Sequence, residues 1–141
     1  MRLARIPCLA AALALASAAV AFSADAKVLE HKGKWESGYG STWYNVVGRL
    51  KNTSGHPVRW VKLRIDAVDD AGKVVASTDT YNESAEVLTV PEANPQDLLA
   101  KGKVKSLPAG AEERFRGSFL KDETPPFKDY RVVIIETPAA R

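Results

Sequence analysis

Cysteine, histidine and methionine are scarce in this chain of 141 residues. Its one cysteine is Cys8, and its two histidines are His31 and His56. Because no cysteine follows residue 26, we exclude a disulfide framework and cysteine-based catalysis or metal binding for that part of the chain. Neither histidine lies in a recognisable nucleophile motif, so the sequence predicts a protein that is not an enzyme.

Long apolar runs are also absent, except at the start. Arg2 and Arg5 precede an apolar stretch over residues 6–22, which ends in the small-residue patterns Ala19-Val20-Ala21 and Ala24-Asp25-Ala26. A positive head, an apolar middle and an A-x-A end are typical of a secretory signal peptide, and the run is short and alanine-rich for a membrane span. We therefore expect a signal peptide over residues 1–26, cleaved after Ala26 or alternatively after Ala21. Residues 27–141 are then one periplasmic or extracellular domain without a membrane span.

Strong charge of one sign is missing as well, since the formal net charge is +3. This balance argues against nucleic-acid binding, which requires a concentrated basic surface.

The sequence indicates no cofactor and no metal site. The nearest alternative is calcium at four aspartates on or beside one predicted hairpin, although they lack a glycine-punctuated acidic loop. They are Asp66, Asp69, Asp70 and Asp79.

What the chain does have is alternation of apolar and polar residues, which predicts β-strands. The clearest case is residues 58–69, where Val61, Leu63, Ile65 and Ala67 share one face. Turn signals separate the strands, and their spacing favours an antiparallel architecture of two layers or a closed sheet. The predicted strands are 28–35, 44–52, 58–69, 73–81, 102–107, 112–120 and 130–137. The continuous apolar run in the last of them suits a strand that is covered on both sides or bulged.

Residues 82–101 do not alternate, and they form a long predicted connection. Asn94 before Pro95 is typical of a helix N-terminus. Because the connection carries several valines and leucines, we expect it to pack against the domain.

Three sequence elements occur in an order that resembles a known family. They are Val46-Val47-Gly48-Arg49-Leu50-Lys51-Asn52, the strand and turn that end in Asp69-Asp70-Ala71-Gly72, and Leu107-Pro108-Ala109-Gly110 before Phe115. The pattern is similar to bacterial FxLYD-type domains, which are exported immunoglobulin-like sandwiches. Of the diagnostic pentad, here Ile65-Asp66-Ala67-Val68-Asp69, only the aspartate matches. The resemblance implies an immunoglobulin-like β-sandwich of about seven strands, and it implies no catalytic residue.

An aromatic segment is the first candidate binding surface. Trp35, Tyr39, Trp43 and Tyr44 fall within ten residues, interrupted by glycine, serine and threonine. These rings are candidates for stacking on sugars or for a protein-binding hot spot. The alternative, which we favour at this point, is that they fill the core; Trp43 is the ring we expect to be most exposed.

Basic residues on two predicted strands form the second candidate. The alternation places Lys62 and Arg64 outward on one strand, with Trp60 beside them, and Arg114 and Arg116 outward on another. If these strands pair, the four cations line one surface that attracts an anionic envelope polymer or an acidic protein. The alternative, which we favour at this point, is a solvated face that protects against edge pairing.

Together these patterns predict an exported, non-catalytic binding module. Its partner is expected to be a cell-envelope protein or an anionic polymer. The alternatives are an assembly subunit that pairs through its edge strands and, less favoured, an enzyme with an unrecognised site.

Overall fold

The computed structural model describes residues 25–140, in which six β-strands form two antiparallel sheets. In spatial order, the first sheet consists of β1 (Ala26–Gly38), β2 (Ser41–Asn52) and β5 (Glu112–Leu120). The second consists of β4 (Val74–Tyr81), β3 (Lys62–Val68) and β6 (Asp129–Glu136). The all-β prediction is confirmed, but the described part of the chain has six strands rather than about seven. The predicted leader lies outside the described residues, except for Asp25 and Ala26.

Apolar side chains from both sheets meet in one core, as their alternation predicts. Leu63, Ile65 and Ala67 of β3 are fully buried, and so are Val46 and Leu50 of β2. On β5 the predicted inward set is also confirmed, namely Phe115, Gly117 and Phe119. Since successive side chains of a strand point to opposite faces, the residues between these positions form the outer surfaces of the two sheets.

The strand predicted at residues 102–107 does not form, and the one predicted from residue 58 begins at Lys62. Val58 and Leu107 make a single antiparallel bridge, with N–H···O distances of 3.0 and 2.8 Å. The Asn52 side chain donates to the carbonyls of Leu107 and Pro108 at 3.0 and 3.1 Å. The Leu107 carbonyl therefore accepts from both the Val58 N–H and the Asn52 amide.

The long connection packs against the domain through a small second core. A 3₁₀ segment (Glu83–Thr89) buries Ala85 and Leu88 against Trp60 and Val104. Helix α1 (Pro95–Ala100) follows, and the Asn94 side chain caps it by accepting from the Asp97 N–H at 3.2 Å. The packing and the capped helix were both predicted. A second 3₁₀ segment (Lys121–Glu123) links β5 to the loop before β6.

The apolar run of β6 contains a bulge, one of the two predicted alternatives. Lys62 pairs with Glu136, whereas the next residue, Leu63, pairs with Ile134. Ile135 is therefore the extra residue, and it is 38% exposed.

Close packing inside the first sheet requires glycine at one position above all. Gly48 of β2 lies opposite Phe115 of β5, and a Cβ at Gly48 would fall 2.6 Å from the Phe115 ring. It would also collide with the Glu30 carbonyl oxygen of β1. The missing side chain lets the Phe115 ring lie beneath the sheet and brings the three strands together.

Candidate functional site

The four predicted cations do not share a surface, which corrects the pairing assumed for them. Lys62 and Arg64 lie on β3, which pairs with β4 and β6 in the second sheet. Arg114 and Arg116 lie on β5, which pairs with β2 in the first. Alternation identifies the face of a strand but not its neighbour, so the sequence did not reveal this separation.

On the outer face of the second sheet, the cations of β3 lie close to carboxylates of the same sheet. Asp79 of β4 accepts from Arg64 Nε at 3.1 Å and lies 3.8 Å from Lys62 Nζ. Asp66 accepts from the Ser77 hydroxyl at 2.6 Å. The cations of β3 thus have a carboxylate on the adjacent strand of their own sheet.

Trp60 was expected beside these cations on the outer face, and this expectation is wrong. Its side chain is 8% exposed and packs in the second core. Its ring N–H donates to Glu136 at 2.6 Å, so a buried polar hydrogen has a partner. The ring also lies edge-on to Tyr81, with centroids 6.4 Å apart.

The first sheet carries a different outer surface, which we term the cationic face. It comprises the outward positions of β1, β2 and β5, given by their register and by the burial of the intervening residues. Its cations outnumber its carboxylates. The cations are Lys27, Lys32, Lys34, Arg49, Lys51, Arg114 and Arg116, and the carboxylates are Glu30, Glu36 and Glu112. Trp43, Asn45, Val47, Ser118 and Leu120 complete the surface.

A cleft of about 950 Å³ lies in the cationic face. Arg49 lines it and pairs with Glu30 at 3.2 Å and with Glu112 at 2.5 Å. The hydrogen bond from Arg49 to Glu30 is the main cause that raises the pKa of the guanidinium above its usual value, so Arg49 is a fixed cation.

The 3₁₀ segment lines one side of this cleft with acidic residues. Glu83 lies 3.5 Å from Arg114, and Glu86 lies 3.0 Å from Arg116. In both pairs the guanidinium uses a single nitrogen, Nη2. Lys32 lines the cleft as well, and it forms no ion pair with any residue between 25 and 140. The cleft is thus bordered by arginines that retain donors.

The aromatic segment is mostly exposed, so the favoured core interpretation is wrong for three of its four rings. Trp35 is 47% exposed, Trp43 39%, and Tyr39 fully exposed at the β1–β2 turn, where its φ is 50°. The ring expected to be most exposed, Trp43, is the least exposed of these three. Tyr44 alone packs against the core, as predicted.

Trp35 and Trp43 lie on opposite faces of the same hairpin. Trp35 faces the second sheet, where its ring contacts Tyr44 and Phe127 with centroid distances of 5.1 and 5.6 Å. Lys121 Nζ lies 6.0 Å from the Trp35 ring centroid. Trp43 is on the cationic face, opposite Glu36 on one neighbour and Leu120 on the other. The tryptophans therefore do not form one platform.

Neither histidine forms a nucleophile–base pair. His31 was expected to point outward, but its register opposite Gly48 turns it toward the second sheet, where its Nδ1 lies 2.7 Å from the Tyr130 hydroxyl. Burial raises the pKa of Tyr130 to about 12. His56 is exposed in its loop, with Nδ1 3.1 Å from its neighbour's carbonyl at Pro57.

The aspartates considered for calcium have other roles. Asp69 Oδ1 accepts from the N–H groups of Ala71 and Lys73, at 2.9 Å each, and this closes the turn. Asp66 and Asp79 are engaged on the outer face of the second sheet, as described above. Within residues 25–140, no group of three or more His, Cys, Asp or Glu side chains is placed to hold a metal ion.

Comparison with known proteins identifies no relative of this chain. No protein-family model, no curated protein and no solved structure matches the chain. None of the helices between residues 25 and 140 is long and apolar enough to cross a membrane.

Sequence reasoning missed much of the cationic face. Lys32, Lys34 and Arg49 belong to it, together with Glu36 and Asn45. Alternation with Val46 and Leu50 in the sequence does place Asn45 and Arg49 on the outward side of β2. Their grouping with Arg114 and Arg116 depends on the pairing of β2 with β5, which no local pattern encodes.

Proposed function

We propose that this protein is an exported, non-catalytic binding module that recognises an anionic envelope polymer or an acidic protein through the cationic face. The proposal includes the immunoglobulin-like, FxLYD-type character suggested by the order of strands and turns. The observation that carries it is the cleft of about 950 Å³ beside Arg49, Arg114 and Arg116.

The arginines of the cleft are suited to exchange partners. The Arg114 and Arg116 side chains are 75% and 70% exposed, and such surface ion pairs are worth about 0–1 kcal/mol. A guanidinium presents five N–H donors in a planar fork that matches a carboxylate or phosphate. An incoming anion thus replaces a weak intramolecular partner or shares the guanidinium with it.

Retention on a carboxymethyl matrix in a salt gradient tests the proposal. The double variant Arg114→Gln/Arg116→Gln is expected to elute at clearly lower salt than the unaltered protein. Lys62→Gln/Arg64→Gln is the matched control, because it removes the same charge from the second sheet, and it is expected to elute close to the unaltered protein. Equal shifts for the two variants would contradict a specific role of the cationic face and leave net charge as the explanation.

A second candidate function is assembly through strand pairing at β1. This strand runs over 13 residues and has a strand neighbour on one side only, within the part of the chain that the structure describes. Its bulge between Val28 and Glu30 and its lysines are features that blunt edge pairing. Light scattering over a range of concentrations distinguishes the two functions: a monomer at all concentrations contradicts self-assembly, while a stable dimer supports it.

The start of β1 bears on where the proposed signal peptide is cleaved. Ala26 is fully buried, and the Asp25 carbonyl accepts from the Thr53 N–H at 3.0 Å. Cleavage after Ala26 would remove both residues from the domain. We therefore propose cleavage after Ala21, which intact-mass measurement of the exported protein checks; a mature chain that starts at Lys27 would contradict it.

A further inference from the structure

One end of the cationic face combines an exposed indole with a row of hydrogen-bonding side chains. Asn45 Nδ2 donates to Glu36 Oε1 at 2.7 Å, and the Ser118 hydroxyl donates to Asn45 Oδ1 at 2.6 Å. These three residues come from β1, β2 and β5, so the row crosses the whole sheet. Trp43 lies directly opposite Glu36 and two residues from Asn45 on the same face. An apolar ring and fixed polar groups are therefore adjacent.

The indole and the arginine-lined cleft lie along one line of the same face. Val47 lies four residues after Trp43 on β2, a distance of ~14 Å at the usual rise per residue. Val47 pairs with Arg116. Arg49, opposite Arg114, lies two residues further. An extended ligand can therefore contact the ring, the polar row and the cations at once.

We infer that the cationic face binds a linear polysaccharide that carries carboxylates. Trp43 stacks on the C–H face of one sugar ring, and Glu36 and Asn45 bind its hydroxyls. Arg116 and Lys32 hold a carboxylate further along the chain. This inference rests on the proposed function, because it names the ligand class of the same face.

The Glu36 carboxylate favours a glycan over an acidic polypeptide. An ionised carboxylate only accepts hydrogen bonds, and sugar hydroxyls donate them. The side chains of an acidic polypeptide have no such donors, whereas the sugars of an acidic polysaccharide carry hydroxyls beside their carboxylates. Trp43 supports the same choice, since its flat apolar ring matches the C–H face of a pyranose better than a charged side chain.

Titration calorimetry with polygalacturonate and with poly-L-glutamate tests the inference. Polygalacturonate is expected to bind more tightly than poly-L-glutamate. Trp43→Ala is expected to weaken polygalacturonate binding about fivefold and to leave poly-L-glutamate unchanged. Trp43→Phe keeps an aromatic ring and is expected to retain most of the affinity, which guards against a folding defect in the alanine variant. Tyr39→Ala is the matched control, because it removes an exposed ring at the turn.

Three results would overturn the inference. If Trp43→Ala binds polygalacturonate like the unaltered protein while Arg114→Gln/Arg116→Gln binds weakly, the face recognises charge alone, and only the proposed function stands. If poly-L-glutamate binds as tightly as polygalacturonate, the ligand class is wrong. If neither Trp43→Ala nor Arg114→Gln/Arg116→Gln weakens polygalacturonate binding, both the inference and the proposed function are contradicted.

Discussion

The two sheets present outer faces that both contain lysine and arginine but use them differently. In the second sheet, Lys62 and Arg64 share Asp79 on the adjacent strand, so their counter-charge lies within the sheet. In the first sheet, Arg114 and Arg116 find their carboxylates outside the sheet, on the 3₁₀ segment. The number of exposed cations is therefore a poor guide to a binding surface. The position of their counter-charges decides whether another anion can approach.

Shape separates the two faces as well. The second sheet has a shallow depression lined by Arg64, Asp66 and Asp79, whereas the first has the cleft beside Arg49. The cleft is bordered by the 3₁₀ segment, which Asn82 fixes in place: its side chain accepts from the Val61 N–H at 2.8 Å and donates to Glu113 at 2.9 Å. A buried amide thus positions the acidic border of the site.

The largest expected effect comes from the strand packing beneath the cationic face. Gly48→Ala places a Cβ against the Phe115 ring and the Glu30 backbone, and we expect it to lower the free energy of unfolding by about 3 kcal/mol or more. Gly38→Ala is the matched control, because no atom lies within 4 Å of its Cβ, and its effect is expected to stay within about 0.5 kcal/mol. Urea denaturation measures both. Equal stabilities would show that the sheet adjusts at Gly48.

An intermediate effect is expected from moving the counter-charges of the two faces. Glu83→Gln/Glu86→Gln removes the competing carboxylates and should tighten polygalacturonate binding about two- to fivefold, at a stability cost below about 1 kcal/mol. Asp79→Asn releases Lys62 and Arg64 in the second sheet but should leave the affinity unchanged, because that face lacks the cleft and Trp43. An equal gain in affinity from Asp79→Asn would mean that net charge alone determines polygalacturonate binding. Calorimetry with each variant provides the comparison.

The smallest expected effect concerns the side where β1 and β6 meet. Tyr130 has an ordinary pKa of 10.0 when unfolded, and burial raises it to about 12 in the folded protein. Above pH 10 the unfolded chain ionises first, so stability is full below pH 10 and declines as the pH rises toward 12. Tyr130→Phe should make this decline in stability shallower. Part of the decline should remain, because the pKa of Tyr44 is also raised in the folded protein.

Denaturation midpoints across this pH range measure the effect of Tyr130→Phe. Tyr39→Phe is the control, since that ring is fully exposed. An identical decline in the Tyr130→Phe variant and the unaltered protein would contradict the assignment.

Local patterns predicted the strands well where alternation and turn chemistry agreed. Residues 112–120 were predicted with both boundaries correct, and the Asp69 turn and the Asn94 cap were both visible as short-range signals. These features depend on neighbours within a few residues, which the sequence displays directly.

Features that depend on distant partners were not predictable. The Asn52 amide reaches a carbonyl 55 residues away at Leu107, in the segment where a strand was expected at 102–107. Trp60 continues an alternating pattern, yet its burial depends on Leu88 and Val104. The cationic face was missed for the same reason. It depends on the pairing of β2 with β5, and β3 and β4 lie between these two strands in the sequence.

Amide chemical-shift mapping by NMR, with galacturonate oligomers as the probe, tests the central claim most directly. We expect the largest shifts on Lys32, Asn45, Val47 and Arg116, and no change on Arg64 and Asp66 of the second sheet. Shifts centred on β3 and β4, or no shifts at saturating oligomer, would contradict the claim that the cationic face is the binding surface.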